Sequence, residues 1–324
     1  MEYRRVGRWG LHVSAVSLGS WLTYGGGTEV DTAIKCVHRA FDLGVNTFDT
    51  ANEYQNGQAE VVLGSALRDL PRDDYLVATK VCLPTGTGPL NRGLSRKHIH
   101  AQVDHSLTRL GLDHIDLYQC HRFDPDAPVE ETARAMNDLV TSGKILYWGV
   151  SEWSADQLEH VVSTCRDRHW AEPISNQPQY SALWRSAEER VLPVCRQLGL
   201  GVLAWSPLAM GVLTGKYRPG ADAPSGSRGA GGDAWFLDRY LKPGVLEAVQ
   251  EFRALAEDAG LTAAQLALAW CLDRPGVSSV IVGATALEQL EENLSVVDLQ
   301  PDRELLDKAD DALAEAASTL SVQT

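Results

Sequence analysis

Four side chains in this sequence could do chemistry together. They are a carboxylate at Asp49, a phenol at Tyr54, an ammonium at Lys80 and an imidazole at His121. Asp49 closes the short apolar run Val45–Phe48, and Tyr54 follows in a loop that leads into a helix near Ala59. Lys80 ends the run Tyr75-Leu76-Val77-Ala78-Thr79, and His121 follows Ile115–Cys120. A free phenol has a pKa near ~10 and is a poor acid–base group at neutral pH. A neighbouring ammonium favours phenolate and lowers that value. Lys80 held by Asp49 could therefore tune Tyr54 to protonate a carbonyl oxygen, with His121 orienting that oxygen. No side chain supplies a hydride, so such a reduction needs a cofactor. Each residue also has a plain structural reading. Asp49 could cap backbone amides, Lys80 could sit in a buried ion pair, His121 could be a core histidine, and Tyr54 a packed loop aromatic. All four at neighbouring strand ends point to a site.

The elements that would bring them together alternate along the chain. Residues 1 to 13 read as a hairpin with turns at Gly7 and Gly10, and Val13–Leu18 as the first buried strand. A glycine turn at Gly25-Gly26-Gly27 precedes a helix capped by Thr28, with Val30, Ile34, Val37 and Phe41 on its apolar face. Gly44 suits the left-handed end of that helix. Further strands are predicted at 47–49, 75–80, 115–119, 145–150, 174–177, 201–205 and 279–282. Helices are predicted near 59–70, 95–110, 129–142, 188–198 and 285–297, the last capped by Thr285 and Glu288. Ser154 and Gln157 form a capping box for another. Eight βα units in about 300 residues fit a single closed (β/α)8 TIM barrel, with an N-terminal hairpin and a long loop after strand seven. An open doubly wound sheet would want a glycine-rich dinucleotide turn after an early strand, and none is present.

Length and composition agree with one α/β barrel domain over 1–324. A formal charge of −14 argues against a nucleic-acid partner and against docking on anionic lipid. Cys36, Cys82, Cys120, Cys165, Cys195 and Cys271 form no Cys-x-x-Cys pair, so no metal site is expected. The N-terminus does not read as a signal peptide, and no apolar run spans a bilayer. These features predict a cytoplasmic protein with free thiols and no direct membrane insertion.

In a barrel, strand C-terminal ends converge on the active face, and a phosphate site usually lies after strands seven and eight. Gly283-Ala284-Thr285 leads into a helix N-terminus, which attracts anions. About forty residues rich in Gly, Ser and Pro separate Trp205 from Leu246, and a loop this long is usually functional or disordered. Within it, Lys216 and Arg228 could add charge to that site or be solvated cations. Trp205 could stack on a flat ring or pack in the core. Trp21, Tyr24, Trp153 and Trp184 are expected near the mouth, favouring a partly apolar or aromatic substrate.

These residues resemble the aldo-keto reductase family. The similarity runs through Phe48-Asp49-Thr50-Ala51 with Tyr54, Ala78-Thr79-Lys80, Asp116-Leu117-Tyr118 to His121, and Trp148-Gly149-Val150-Ser151. It continues through Trp205-Ser206-Pro207-Leu208, Gly215-Lys216-Tyr217 and Gly283-Ala284-Thr285 to Glu292-Asn293. The Trp-Ser-Pro-Leu and Gly-Lys-Tyr elements resemble the branch containing potassium-channel β-subunits and their bacterial relatives. The resemblance implies NADPH/NADP+ as cofactor and Asp49, Tyr54, Lys80 and His121 as a catalytic tetrad. It implies that Gly19, Ser20, Trp21 and Asp49 face the cofactor. Ser151 and Gln177 would hold the nicotinamide carboxamide, and Trp205 would stack on its ring. Ser206 and Leu208 would line the pyrophosphate path. Lys216, Arg228, Thr285 and Gln289 would surround the 2′-phosphate, with Glu292 and Asn293 at the adenine, and Pro207, Gly211 and Gly283 would also contact the cofactor. Two departures stand out: channel subunits tend to have asparagine at the position of His121, and arginine at that of Glu152. The function this implies is reduction of a small-molecule aldehyde or ketone to an alcohol, possible in a homo-oligomer. The alternative is an NADPH-sensing regulatory subunit of a membrane channel or another partner. An NADH-linked enzyme is a third reading.

Overall fold

The computed structural model of the protein describes residues 1–21, 24, 26, 28–231 and 239–321. Gly25, Gly27 and Gly232, which the sequence places in turn or loop, lie outside the described residues. Two short strands, β1 (Tyr3–Arg5) and β2 (His12–Ser14), form an antiparallel hairpin. Eight parallel strands then close a barrel in chain order. They are β3 (Val16–Gly19), β4 (Thr47–Asp49), β5 (Leu76–Val81), β6 (Ile115–Cys120), β7 (Ile145–Ser151), β8 (Ser175–Gln177), β9 (Gly201–Trp205) and β10 (Val277–Val282). β10 pairs back onto β3 and completes the ring. The predicted (β/α)8 fold is the observed one.

Helices α1 (Val30–Asp42), α2 (Gln58–Leu67), α3 (Arg96–Leu110), α4 (Val129–Thr141), α5 (Ala155–Arg168) and α6 (Val191–Leu198) follow successive barrel strands from β3 to β8. After β9 come α7 (Pro243–Asp258) and α8 (Ala263–Leu272), and after β10 come α9 (Leu287–Leu294) and α10 (Arg303–Ser321). The helix ends follow local chemistry. Ser154 and Gln157 cap α5 reciprocally, as the sequence predicts, and Thr262 with Gln265 does the same for α8. Asp310 on α10 pairs with Arg185 at 2.8 Å and Arg274 at 3.2 Å, and accepts from Trp270 Nε1 at 3.1 Å, which fastens α10 to the barrel wall.

Side chains alternate across a strand, and this sorts the barrel into layers. Val77 and Val81 of β5 join the large apolar cluster between sheet and helices. Leu76 and Ala78 join a second cluster with Leu117, Leu203 and Ile281, which fills the lower barrel. Val6 and Val13 of the hairpin belong to this second cluster, with Trp9 and Leu11 packed against it. The hairpin thus plugs the N-terminal end. Lys80 is the next inward residue of β5, one layer above the plug.

Several expected boundaries shift. Val13 pairs within the hairpin, and the first barrel strand starts at Val16. Glu29 rather than Thr28 precedes α1, without a side-chain cap bond. α9 begins after Ala286, because Thr285 Oγ1 bonds to Gln289 Oε1 at 2.9 Å instead of capping the first turn. Residues 188–190 lie outside α6, and a 3₁₀ turn at Ser186–Glu188 precedes it.

Gly64 sets the approach of α2 to α3: a Cβ there would fall 2.7 Å from Leu110 Cα. Gly64→Ala should lower stability by about 1–3 kcal/mol through overpacking. That outcome opposes the gain of up to about 1 kcal/mol that alanine brings to an open helix position. Urea denaturation checks the sign.

Candidate active site

Lys80 is fully buried at the upper end of β5. Its ammonium donates to Asp49 Oδ1 at 2.5 Å, to the Thr50 carbonyl at 2.8 Å and to Tyr54 Oη at 3.3 Å. β4 and β5 are in register at Asp49 and Ala78, which sets Lys80 one inward step above Asp49. The other Asp49 oxygen accepts from Gln177 Nε2 at 2.8 Å and from Gln119 Nε2 at 3.4 Å. A buried charge pair is tolerated when its remaining lone pairs and protons are also bonded. Here β4, β5, β6 and β8 together supply those bonds.

Tyr54 is half-buried, with its hydroxyl turned onto Lys80. Its ring meets His121 edge-on, with centroids 5.7 Å apart. The turn that delivers it is unusual, since Gln55 and Asn56 are both left-handed. Burial, reinforced by the Asp49 and Glu53 carboxylates, pushes the Tyr54 phenol well above its ordinary value. This corrects the expectation that the value would be pulled down: enclosure by protein and two nearby carboxylates raise it, and Arg122 opposes them only weakly. The phenol is accordingly protonated at neutral pH, the state a proton donor needs.

His121 is buried, and burial depresses its pKa below 6.5 although Glu53 opposes the shift. The imidazole is neutral at pH 7. Its Nδ1 lies 3.5 Å from Glu53 Oε1. Burial raises the Glu53 carboxyl, but His121 and Lys80 outweigh it and hold the pKa below the usual range. Glu53, Gln119 and the Thr50 carbonyl were not singled out from sequence. Gln119 was findable, because strand alternation places it inward two residues before His121. Glu53 carries no periodic signal.

The remaining candidates lie around the rim. Ser151 Oγ donates to the Gln177 carbonyl at 2.8 Å, while the Gln177 amide is engaged by Asp49. Gly19 ends β3 where a Cβ would fall 2.7 Å from Ile281 Cγ2. Beside it, Ser20 Oγ is buried without a hydrogen-bond partner. Trp21 packs edge-on against Trp205, with centroids 6.0 Å apart. After β9, Ser206, Ala209 and Met210 are left-handed, and Ser206 Oγ accepts from the Met210 amide at 2.9 Å. Pro207 and Leu208 sit in this turn, and Gly211 follows at φ +93 with Lys216 Nζ close by. Lys216 is exposed and forms no ion pair among the described residues. Gly283, Thr285, Gln289 and Glu292 are exposed around α9, and Asn293 is buried.

Two expectations change. Arg228 lies over the Trp21 ring, 5.1 Å from its centroid, and so reaches the β3 side of the mouth. Tyr240, late in the same loop, accepts from Gln179 Nε2 at 2.9 Å after β8. The described residues Arg228 and Tyr240 thus stand at the mouth, where the loop's position after β9 predicts them. Of the aromatics expected to face substrate, Tyr24, Trp153 and Trp184 are buried in the apolar cluster, and Trp21 alone is exposed at 38 %. All six cysteines are buried and free, with thiols pushed up by burial, Cys82 to about 11. Among the described residues no cluster of three or more His, Cys, Asp or Glu could hold a metal, and no helix is long and apolar enough to cross a membrane.

A closed barrel with an Asp–Lys pair, a tyrosine and a histidine gathered at its C-terminal mouth is the architecture of the aldo-keto reductase class. Residues 15–314 match the aldo/keto reductase family, and the chain belongs to it. Three relatives are similar along nearly their whole length. A protein of Schizosaccharomyces pombe is 43 % identical over 97 % of this chain and 93 % of its own. Proteins of Arabidopsis thaliana and of Oryza sativa subsp. japonica are each 44 % identical over 93 % of this chain and 92 % of theirs. All three carry a provisional name as voltage-gated potassium channel subunit beta. The chain is homologous to that branch, and its cofactor is NADPH/NADP+. The rim fits such a group. It offers an orphaned buried hydroxyl at Ser20, a glycine at 19 with no room for a side chain, and at Lys216 an exposed ammonium that lies over the Tyr217 ring and has no carboxylate partner among the described residues.

Two outcomes follow from this geometry. Lys80→Met strands Asp49 as a buried unpaired carboxylate and should cost about 3–5 kcal/mol in denaturant unfolding. Adding Asp49→Asn should recover most of that loss. The second concerns His121, which is kept neutral in the fold and protonates more readily when unfolded. Stability should therefore fall as pH drops through 6.5. The melting temperature of His121→Asn should fall less than that of the wild type from about pH 7.5 to about pH 5.5.

Proposed function

We propose that this chain is an NADPH-sensing regulatory subunit of the potassium-channel β type, which retains a working carbonyl-reductase site. The sensing reading is supported by its 43–44 % identity, over 92–93 % of their length, to proteins named as channel subunits. It operates in the cytoplasm, with a channel as partner and as a possible homo-oligomer.

The second part, reduction of aldehydes or ketones, is favoured by one observation: Lys80 Nζ touches both Asp49 and Tyr54 Oη, and His121 packs against Tyr54. NADPH, when bound, supplies the hydride. The chain supplies the proton and the placement. Tyr54 donates from its protonated hydroxyl to the substrate oxygen. Lys80 steadies the phenolate left behind, and Asp49 with the Thr50 carbonyl keeps Lys80 from turning away. Neutral His121 points the substrate oxygen at Tyr54 without adding a charge. Ser20, Trp205, Lys216 and the α9 N-terminus would hold the cofactor, and the long loop with Arg228 would cover it. Ser151 and Gln177 would meet the carboxamide, which requires the Gln177 amide to be shared with Asp49.

Turnover of an aromatic aldehyde with NADPH tests the catalytic part. Tyr54→Phe should lose about 10²–10⁴-fold in kcat with NADPH affinity retained. An equal rate in both proteins removes Tyr54 as the donor. For sensing, affinity for the cytoplasmic part of a voltage-gated potassium channel should differ between the NADPH-loaded and NADP+-loaded forms. Equal affinity, or no complex, overturns it.

A further inference from the structure

We propose that Glu152 is a positioning residue for the nicotinamide ring: its carboxylate fixes the Trp205 indole and, through it, the aromatic wall that runs to Trp21 and Arg228. The proposal rests on the reading of Trp205 as the surface on which that ring stacks.

Glu152 directly follows β7 and is left-handed at φ +58. A non-glycine residue pays conformational strain there and keeps it only where its surroundings over-determine the position. The side chain shows what does so. Glu152 Oε1 accepts from Trp205 Nε1 at 2.8 Å and from the Gln179 backbone amide. The Glu152 amide donates to the Gln177 carbonyl at 3.3 Å. One residue thus ties the ends of β7, β8 and β9 together and sets the plane of the indole. Two donors from different parts of the rim thus converge on one oxygen of Glu152.

The hold passes outward. Trp21 stands edge-on to Trp205 at an interplanar angle of 84°, and the Arg228 guanidinium covers Trp21. Trp21 is exposed and Arg228 comes from the loop, so Trp205 is the rigid member of this stack and Glu152 is what makes it rigid. A ring placed on a fixed indole loses less freedom on binding than one placed on a swinging indole, because the surface is already ordered.

Titration calorimetry of NADPH into the full chain tests this. Glutamine keeps an acceptor oxygen, so Glu152→Gln should bind within about twofold of wild type. Glu152→Gly relieves the backbone strain and removes the anchor. It should bind roughly tenfold more weakly, the size typical of one lost hydrogen bond to a charged group, with no fall in melting temperature. Trp205→Phe keeps a ring but loses the indole donor and should weaken binding similarly. The double variant Glu152→Gly/Trp205→Phe should be no weaker than the worse single variant, because both break one link. The proposal is overturned if Glu152→Gly binds like wild type, if Glu152→Gln weakens as much as glycine, or if the two losses multiply. Wild type is titrated first. Its failure to bind NADPH overturns the ring-seat reading itself, whereas normal wild-type binding with the wrong variant pattern overturns the role of Glu152 alone.

Discussion

The interior of this barrel is organised by a buried charge pair. Removing a carboxylate and an ammonium from water is costly, and their attraction offsets that only when every remaining bonding position is filled. Lys80 and Asp49 meet that condition through the Thr50 carbonyl, Tyr54, Gln177 and Gln119. These partners come from strands far apart in sequence, so the pair is satisfied only when the ring is closed. The dependence is mutual, because closure would bury an unpaired ion if any one strand failed to arrive. A second pair repeats the logic outside the ring. There Glu60, fully buried on α2, accepts from Arg109 at 2.6 Å and from Thr79 Oγ1 at 2.6 Å.

Strain is concentrated where chemistry is expected. Left-handed non-glycine residues fall at Gln55 and Asn56 beside Tyr54, at Glu152 after β7, and at Ser206, Ala209 and Met210 after β9, with His169 at the C-terminal end of α5 as the exception. Such conformations persist only when surrounding contacts hold them. The lower barrel layers, by contrast, are ordinary apolar packing. Most of the strain thus lies at the rim, and the polar layer of Lys80 and Asp49 separates it from the apolar packing below.

The fold was legible because two periodicities are strong in this chain. The eight strands were all recognisable from short apolar runs, and the Asp49, Lys80 and His121 positions followed from where those runs end. Boundaries moved where a side chain had a better partner than the cap assigned to it, as with Thr285 and Gln289. α7, α8 and α10 were not assigned. α8 gives no amphipathic stripe, since nine of its ten residues are apolar and buried and Gln265 alone is polar. The cofactor contacts were reached through family resemblance rather than through periodicity. What no pattern contained was the second layer around the tetrad. Glu53 meeting His121 and Glu152 meeting Trp205 each depend on a carboxylate in a loop, and loops obey no period. The direction of the Tyr54 shift was also beyond reach, because it depends on how completely the phenol is enclosed.

The hairpin at the base carries one more implication. Its backbone lies against Gly199 and Gly201, with Arg8 N bonded to the Gly199 carbonyl at 3.0 Å and Ser278 Oγ to the Arg5 carbonyl at 2.9 Å. The barrel is therefore a blind-ended well. Any ligand at its upper end would arrive and depart across the same rim, so one held deeper would have to be loaded first and unloaded last. Queueing at a single doorway, rather than affinity alone, then orders the traffic. Arg228 over Trp21 and Tyr240 against Gln179 stand at that doorway.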